Sequence, residues 1–117
     1  MAAHNQLGAQ GEEMAKQWLQ EQGFTLLDFN WRIGRFEIDI ICLKENKLHF
    51  VEVKCRKGTW MGLPESRVNR KKLNNLRSAG AAYLRQKKLR IWVSYDILSI
   101  TVFSKEKTEY FLIEDVY

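Results

Sequence analysis

The sequence predicts one α/β domain over residues 1–117, a mixed central β-sheet flanked by helices, with elements in the order α-β-β-β-α-β-β. Three observations lead there. Two segments, one near the N-terminus and one past the middle, repeat apolar residues at helical spacing. Five others are short, rich in Ile, Val, Phe, Tyr and Trp, and bounded by polar or Gly-containing turns. Helices alternating with runs of strands build a layered unit around one core. With 45% hydrophobic and 12% aromatic residues in 117, the chain can fill such a core but has no length for a second.

Composition excludes several classes. One Pro and seven Gly rule out a collagen-like chain, and the apolar content rules out a disordered one. No apolar run approaches the ~20 residues of a membrane span, and residues 1–20 lack a signal peptide's apolar stretch. Two cysteines make neither a disulfide scaffold nor a metal cluster. The expected setting is the reducing cytoplasm, away from membranes.

Asn5 is the expected N-cap and Gly23 the expected stop of the first helix, with Leu7, Met14, Ala15, Trp18 and Leu19 as its apolar stripe. At ~100° per residue Glu13 falls opposite that stripe and faces water, whereas Glu12 lies at its edge. Phe24 to Trp31 reads as the first strand, closing near Gly34. Phe36 to Leu43 and Leu48 to Lys54 follow as a hairpin. A turn centred between Glu45 and Asn46 pairs residues whose numbers sum to 91, which sets Asp39 opposite Glu52 and Glu37 opposite Lys54. By the two-residue period all four then project from one face; a three- or five-residue loop would shift the pairing. Cys55 to Pro64 has loop composition. A second helix is expected from about Glu65–Asn69 to Lys87, with Leu73, Leu76, Gly80, Tyr83 and Leu84 on its apolar face. Ile91 to Phe103 and Tyr110 to Ile113 complete the strands.

The net charge of +5 is unevenly spread. Residues 54–90 hold twelve Lys and Arg against the single Glu65, a net of +11, while the segments on either side each carry −3. A basic block between acidic flanks is the footprint of a polyanion-binding face. A solvated helix surface is the bland alternative, so charge alone favours nucleic acid only weakly.

The hairpin carries the chemistry. FEIDIICL and HFVEVKC set three carboxylates and a lysine among Ile, Val and Phe, where unpaired buried charge is very unfavourable and a metal or an ion pair is the usual remedy. Two close carboxylates suit a hard cation such as Mg²⁺. A lysine beside them can orient or deprotonate a bound water, and the downstream basic block can hold phosphates; phosphodiester hydrolysis uses these parts. Glu-x-Lys on a strand is common by chance. Its weight here comes from Asp39 thirteen residues before Glu52, in a facing register, ahead of a basic helix.

Ile38-Asp39 followed by Glu52-Val53-Lys54 resembles the bipartite PD-(D/E)xK motif of restriction-endonuclease-like nucleases. Gly11-Glu12, Asn30-Trp31-Arg32, Glu37-Ile38-Asp39-Ile40-Ile41, Phe50-Val51-Glu52-Val53-Lys54, Lys72, Tyr83-Leu84, Asp96-Ile97 and Ile113-Glu114-Asp115-Val116-Tyr117 extend the likeness over nearly the whole chain. Together they resemble the bacterial YraN family of predicted endonucleases, which is similar to archaeal Holliday-junction resolvases. Departures are Phe36, where many members carry Gly, and Ile38 in place of the motif's Pro. The resemblance implies a restriction-endonuclease-like fold and an Mg²⁺- or Mn²⁺-dependent DNA endonuclease, acting on branched or junction DNA. It implies Asp39, Glu52, the Val53 carbonyl and Glu12 as metal ligands. Lys54 would position the attacking water, and Lys72 would touch phosphate. By analogy with resolvases, a homodimer is expected. The expected DNA face is Arg56, Lys57, Arg70, Lys71, Lys72 and Arg77, with Trp60 as the aromatic best placed to meet a base. The competing reading is a non-catalytic nucleic-acid-binding or scaffold protein that keeps the fold; a protein-interaction domain is a third.

The remaining candidates read as structural. Glu37 is expected to pair with Lys54 or Arg56. Cys42 faces His49 in the hairpin register, so a Cys42–Cys55 disulfide is not expected. His4 and His49 look too isolated for a zinc site. Trp18, Trp31 and Trp92 are expected in the core, and Asp96, in an apolar strand, is expected to be a structural hydrogen-bonding residue.

Overall fold

A computed structural model describes residues 2–58 and 70–116, with side chains described from residue 9 onward. Its elements are α1 (Ala2–Glu21), β1 (Thr25–Ile33), β2 (Phe36–Lys44), β3 (Lys47–Lys57), α2 (Arg70–Lys87), β4 (Trp92–Val102) and β5 (Thr108–Ile113). This is the expected order. Most element ends differ from the expected ones by a residue or two; β3 runs three residues further, to Lys57, and α1 begins at Ala2, so Asn5 lies inside the helix rather than capping it. The segment 59–69, which holds Trp60 and the expected start of the second helix at Glu65–Asn69, lies outside the described residues.

Local chemistry sets the turns. Gly23 ends α1 at φ 96°, with Phe24 N–H donating to the Leu19 carbonyl and Gly23 N–H to that of Gln20, the paired bonds of a Schellman cap. The β2–β3 hairpin turns on Glu45 (φ 52°) and Asn46 (φ 63°), both left-handed as a two-residue type I′ turn requires. That turn fixes the register Lys44↔Lys47 through Ile40↔Val51, the expected one.

The five strands lie in sequence order in one mixed sheet, every pair antiparallel except β3 with β4. β3 and β4 pair in parallel over eleven residues, Lys47↔Trp92 to Lys57↔Val102, joined through α2 as a crossover. Each face of the sheet is covered by one helix. On the α1 side Ala15, Leu19, Phe24, Ile40, Cys42, Val51, Leu98 and Ile100 are buried together, with Met14 and Trp18 packed against them. On the α2 side Ile38, Ile41, Leu48 and Phe50 meet Leu76, Ala79 and Tyr83. Gly80 lets α2 settle onto the sheet; a Cβ there would lie 2.7 Å from the Tyr95 ring and 3.0 Å from that of Phe50.

Trp18 stacks on Tyr110 and Trp31 meets Tyr83 edge-on, so both join the core as expected. Trp92 does not: it is 82% exposed. It opens β4 opposite Lys47, at the end of the sheet, and belongs to neither buried cluster. Both cysteines are free thiols. Among the described residues no helix is long and apolar enough to cross a membrane.

Candidate functional site

Asp39 lies where the hairpin stops being regular. The recorded β2–β3 pairing ends at Ile40↔Val51, and the next step is a side-chain bond: Val53 N–H donates to Asp39 Oδ2 at 2.8 Å. On β2, Ile38 packs into the α2-side cluster, Ile40 into the α1-side cluster and Ile41 into the α2-side cluster again. A regular strand would put Ile38 and Ile40 on the same face. The chain is therefore rotated about Asp39, and the expectation that Glu37, Asp39, Glu52 and Lys54 share a face by simple alternation does not carry through this point. The neighbouring strand is irregular at the same level. Asn30 falls between the pairs Phe29↔Ile40 and Trp31↔Ile38 and is left-handed, φ 48°, a conformation Asn tolerates better than most residues.

This irregularity draws the α1 carboxylate in. Gly11 meets β3 so closely that a Cβ would lie 2.6 Å from the Cβ of Cys55, and Glu12 follows it. Asn30 Nδ2 donates to Glu12 Oε2 at 3.2 Å, tying the helix to the bent part of β1. Glu13 is exposed and pairs with Lys16, as its place opposite the apolar stripe predicts.

The electrostatics follow from this packing. Burial pushes the Asp39 carboxyl up to about 7; the Val53 N–H pulls it back, and Glu52, Glu37 and Glu12 push it further up. Three of the four carboxylates singled out in the sequence as a metal set or its neighbours thus act on the fourth. Glu37 Oε2 accepts from Arg32 Nε at 2.8 Å, because Arg32 stands directly across the strand pair. Lys54 is half-buried on β3, two residues beyond Glu52. Arg56 and Lys57 continue that strand into solvent, and Arg70, Lys71, Lys72 and Arg77 are exposed on α2. Trp60 lies outside the described residues.

A second cluster corrects the expectation for His49. Far from isolated, it has one ring nitrogen, Nδ1, 2.6 Å from Asp96 Oδ2 and 3.8 Å from Glu114 Oε1. Among the described residues this is the set of three potential metal ligands gathered within 4.8 Å of one another; the carboxylates of Glu12, Asp39 and Glu52 are not drawn that close. Parallel pairing brings β4 beside β3, and the C-terminal segment brings Glu114, so residues 47 and 65 positions from His49 converge on it. Asp96 is fully buried and hydrogen-bonded, as its position in an apolar strand predicts. The sequence signal was the run Ser94, Asp96 on one face of that strand. Cys42 pairs with His49 across the hairpin, and burial, followed by the charge of Asp96, pushes its thiol up to about 12.

Comparison with known proteins places this arrangement in a family. Residues 11–100, from the close-packed Gly11 to the end of the β4 core, match the model of uncharacterised protein family UPF0102. A UPF0102 protein of Bacteroides thetaiotaomicron is 40% identical over 100 residues, covering 86% of this chain and 83% of the relative. Another, from Flavobacterium psychrophilum, is 38% identical over 118 residues, covering 100% of this chain and 98% of the relative. A third, from Syntrophomonas wolfei, is 37% identical over 100 residues. With the expected element order in place and relatives matching from end to end, the chain belongs to the UPF0102 family.

Proposed function

We propose that the chain is a metal-dependent endonuclease that hydrolyses phosphodiester bonds in DNA, with branched or junction DNA as the substrate that fits the resolvase likeness. The observation that carries this reading is the placement of Asp39: its carboxyl is half-buried, fixed by the Val53 peptide, and crowded by Glu52, Glu37 and Glu12. A half-buried carboxyl with three acidic neighbours would be eased by a cation, and an all-oxygen donor set fits Mg²⁺ or Mn²⁺. Such an ion supplies charge neutralisation at the phosphate and a more acidic water.

The chain's own residues have separate tasks in this reading. Asp39, Glu52 and the Val53 carbonyl hold the ion, and Glu12, kept in place by Asn30, reaches it directly or through a water. Lys54 orients the attacking water and steadies charge on the phosphate. Arg56, Lys57, Arg70, Lys71, Lys72 and Arg77 bind the nucleic-acid backbone. Acting on the two symmetric strands of a junction requires two copies, so a homodimer belongs to the junction form of the proposal.

The test is cleavage of branched and linear DNA in Mg²⁺ or Mn²⁺. Wild type should cut only with the ion. Lys54→Ala should keep ion and DNA binding yet lose cutting. DNA binding without cutting in either ion by wild type would instead establish the non-catalytic nucleic-acid-binding protein.

Affinity itself should be salt-controlled. Six phosphate contacts would lose on the order of a thousandfold in affinity between about 50 and 200 mM salt. Replacing Lys71→Glu and Lys72→Glu should weaken binding to all sequences alike, because phosphate contacts position rather than specify. Filter binding across a salt series checks both, and a flat salt response rules the basic face out.

A further inference from the structure

We propose that His49, Asp96 and Glu114 form a second, separate site that takes a divalent transition-metal ion, Zn²⁺ by its donor set, and fastens the C-terminal segment to β3 and β4. One imidazole nitrogen and two carboxylate oxygens suit Zn²⁺ better than the hard Mg²⁺, and three protein ligands leave a fourth position open. The three candidate ligand atoms already lie within 4.8 Å of one another. Ligand atoms around a tetrahedral ion at about 2.0–2.1 Å lie roughly 3.3 Å apart. His49 Nδ1 is now 2.6 Å from Asp96 Oδ2 and 3.8 Å from Glu114 Oε1, so one carboxylate backs off and the other closes in, each by under about 1 Å.

The surroundings already orient the ligands. Asp96 Oδ1 accepts from Ser94 Oγ and from the Asp115 N–H, which leaves Oδ2 directed at the imidazole. Metal-ligating carboxylates are characteristically held by such outer bonds. Phe24 packs edge-on against the ring with centroids 4.9 Å apart and limits its tilt. The site is reachable: His49 and Asp96 are buried, but the Glu114 side chain is 56% exposed, so an ion enters past it. Asp96, Glu114 and Asp115 bring three carboxylates to this end of the sheet, and Lys47 Nζ stands 3.9 Å from Asp115. Ligation through Nδ1 would need the imidazole neutral with its ring proton on Nε2, so that the Nδ1 lone pair is free for the ion.

The test titrates the full-length protein with Zn²⁺ in excess Mg²⁺, reading stoichiometry by calorimetry and stability by thermal melting. Wild type and Asp39→Asn should each bind one Zn²⁺ and melt at a higher temperature with it. Glu114→Ala removes an exposed ligand and leaves the His49–Asp96 bond in place, so it should fold and bind Zn²⁺ at least about tenfold more weakly. No Zn²⁺-dependent rise in wild type overturns the proposal, and so does Glu114→Ala binding Zn²⁺ as tightly as wild type.

Discussion

Asp39→Asn is expected to stabilise the protein at pH 8 in EDTA while abolishing both its response to Mg²⁺ and its cleavage of DNA. Burial, with Glu52, Glu37 and Glu12 adding, raises the Asp39 carboxyl from 3.8 to about 7, so the ionised form is unwelcome in the folded state. Such a rise corresponds to about 4 kcal/mol at most. Because Asp39 is only half-buried, solvent screens part of this, and about 1–3 kcal/mol is the expected gain. The sign follows from linkage. Below the unfolded value of 3.8 both states hold the proton and there is no penalty. As pH rises the unfolded chain ionises first, the folded state loses ground, and the penalty is complete above about 7. Asn keeps an oxygen to accept the Val53 N–H but never ionises. Urea unfolding should therefore find wild type and variant alike near pH 4 and separated at pH 8. Adding Mg²⁺ should raise wild type alone, since ligand binding to the native state stabilises by mass action. A variant less stable than wild type at pH 8 in EDTA would make Asp39 a structural member of an ion-pair network and remove the support for a nuclease.

Asp39 also shows where reading the sequence reaches its limit. The hairpin register was legible because the turn lay between Glu45 and Asn46, and a two-residue turn there fixes every pair from Lys44↔Lys47 to Ile40↔Val51. The helices were legible from their apolar stripes and, for α1, from Gly23. The rotation at Asp39 was not: it lies level with the left-handed Asn30 of the neighbouring strand, and neither irregularity interrupts the apolar pattern of its own strand. Glu12 was legible by its edge position on α1, although the Asn30 bond that places it was not. The exposed Trp92 went wrong because hydrophobicity alone does not say where a helix stops covering a sheet. The His49 cluster went unseen because its members are distant in sequence and meet only through parallel pairing and the C-terminal segment. A polar pair at i and i+2 on an apolar strand was its one local trace, visible in Ser94 and Asp96.

That pair supports the largest destabilisation expected. Asp96→Ala should cost about 3–5 kcal/mol, the upper range for a single substitution, because it removes a buried side chain at the centre of a hydrogen-bond network. The carboxyl of Asp96 is fully buried and accepts from Ser94 Oγ and the Asp115 N–H while holding His49 Nδ1 at 2.6 Å. Alanine leaves all three without that acceptor at a fully buried position. The loss should spread toward the C-terminus. Asp115 N–H is held by Asp96 and Ser94, and Val116 N–H donates to the Tyr95 carbonyl at 2.9 Å, so hydrogen exchange at these two amides should quicken well before β5 is affected. Asp96→Asn supplies a contrast. Its oxygen still accepts from Ser94 and Asp115, and its amide can donate to a neutral imidazole, so about 1–2 kcal/mol is expected. Equal losses for both variants would mean that charge, rather than hydrogen-bond satisfaction, holds the network. A loss under about 1 kcal/mol for Asp96→Ala would mean that the segment 114–116 is held in place without it.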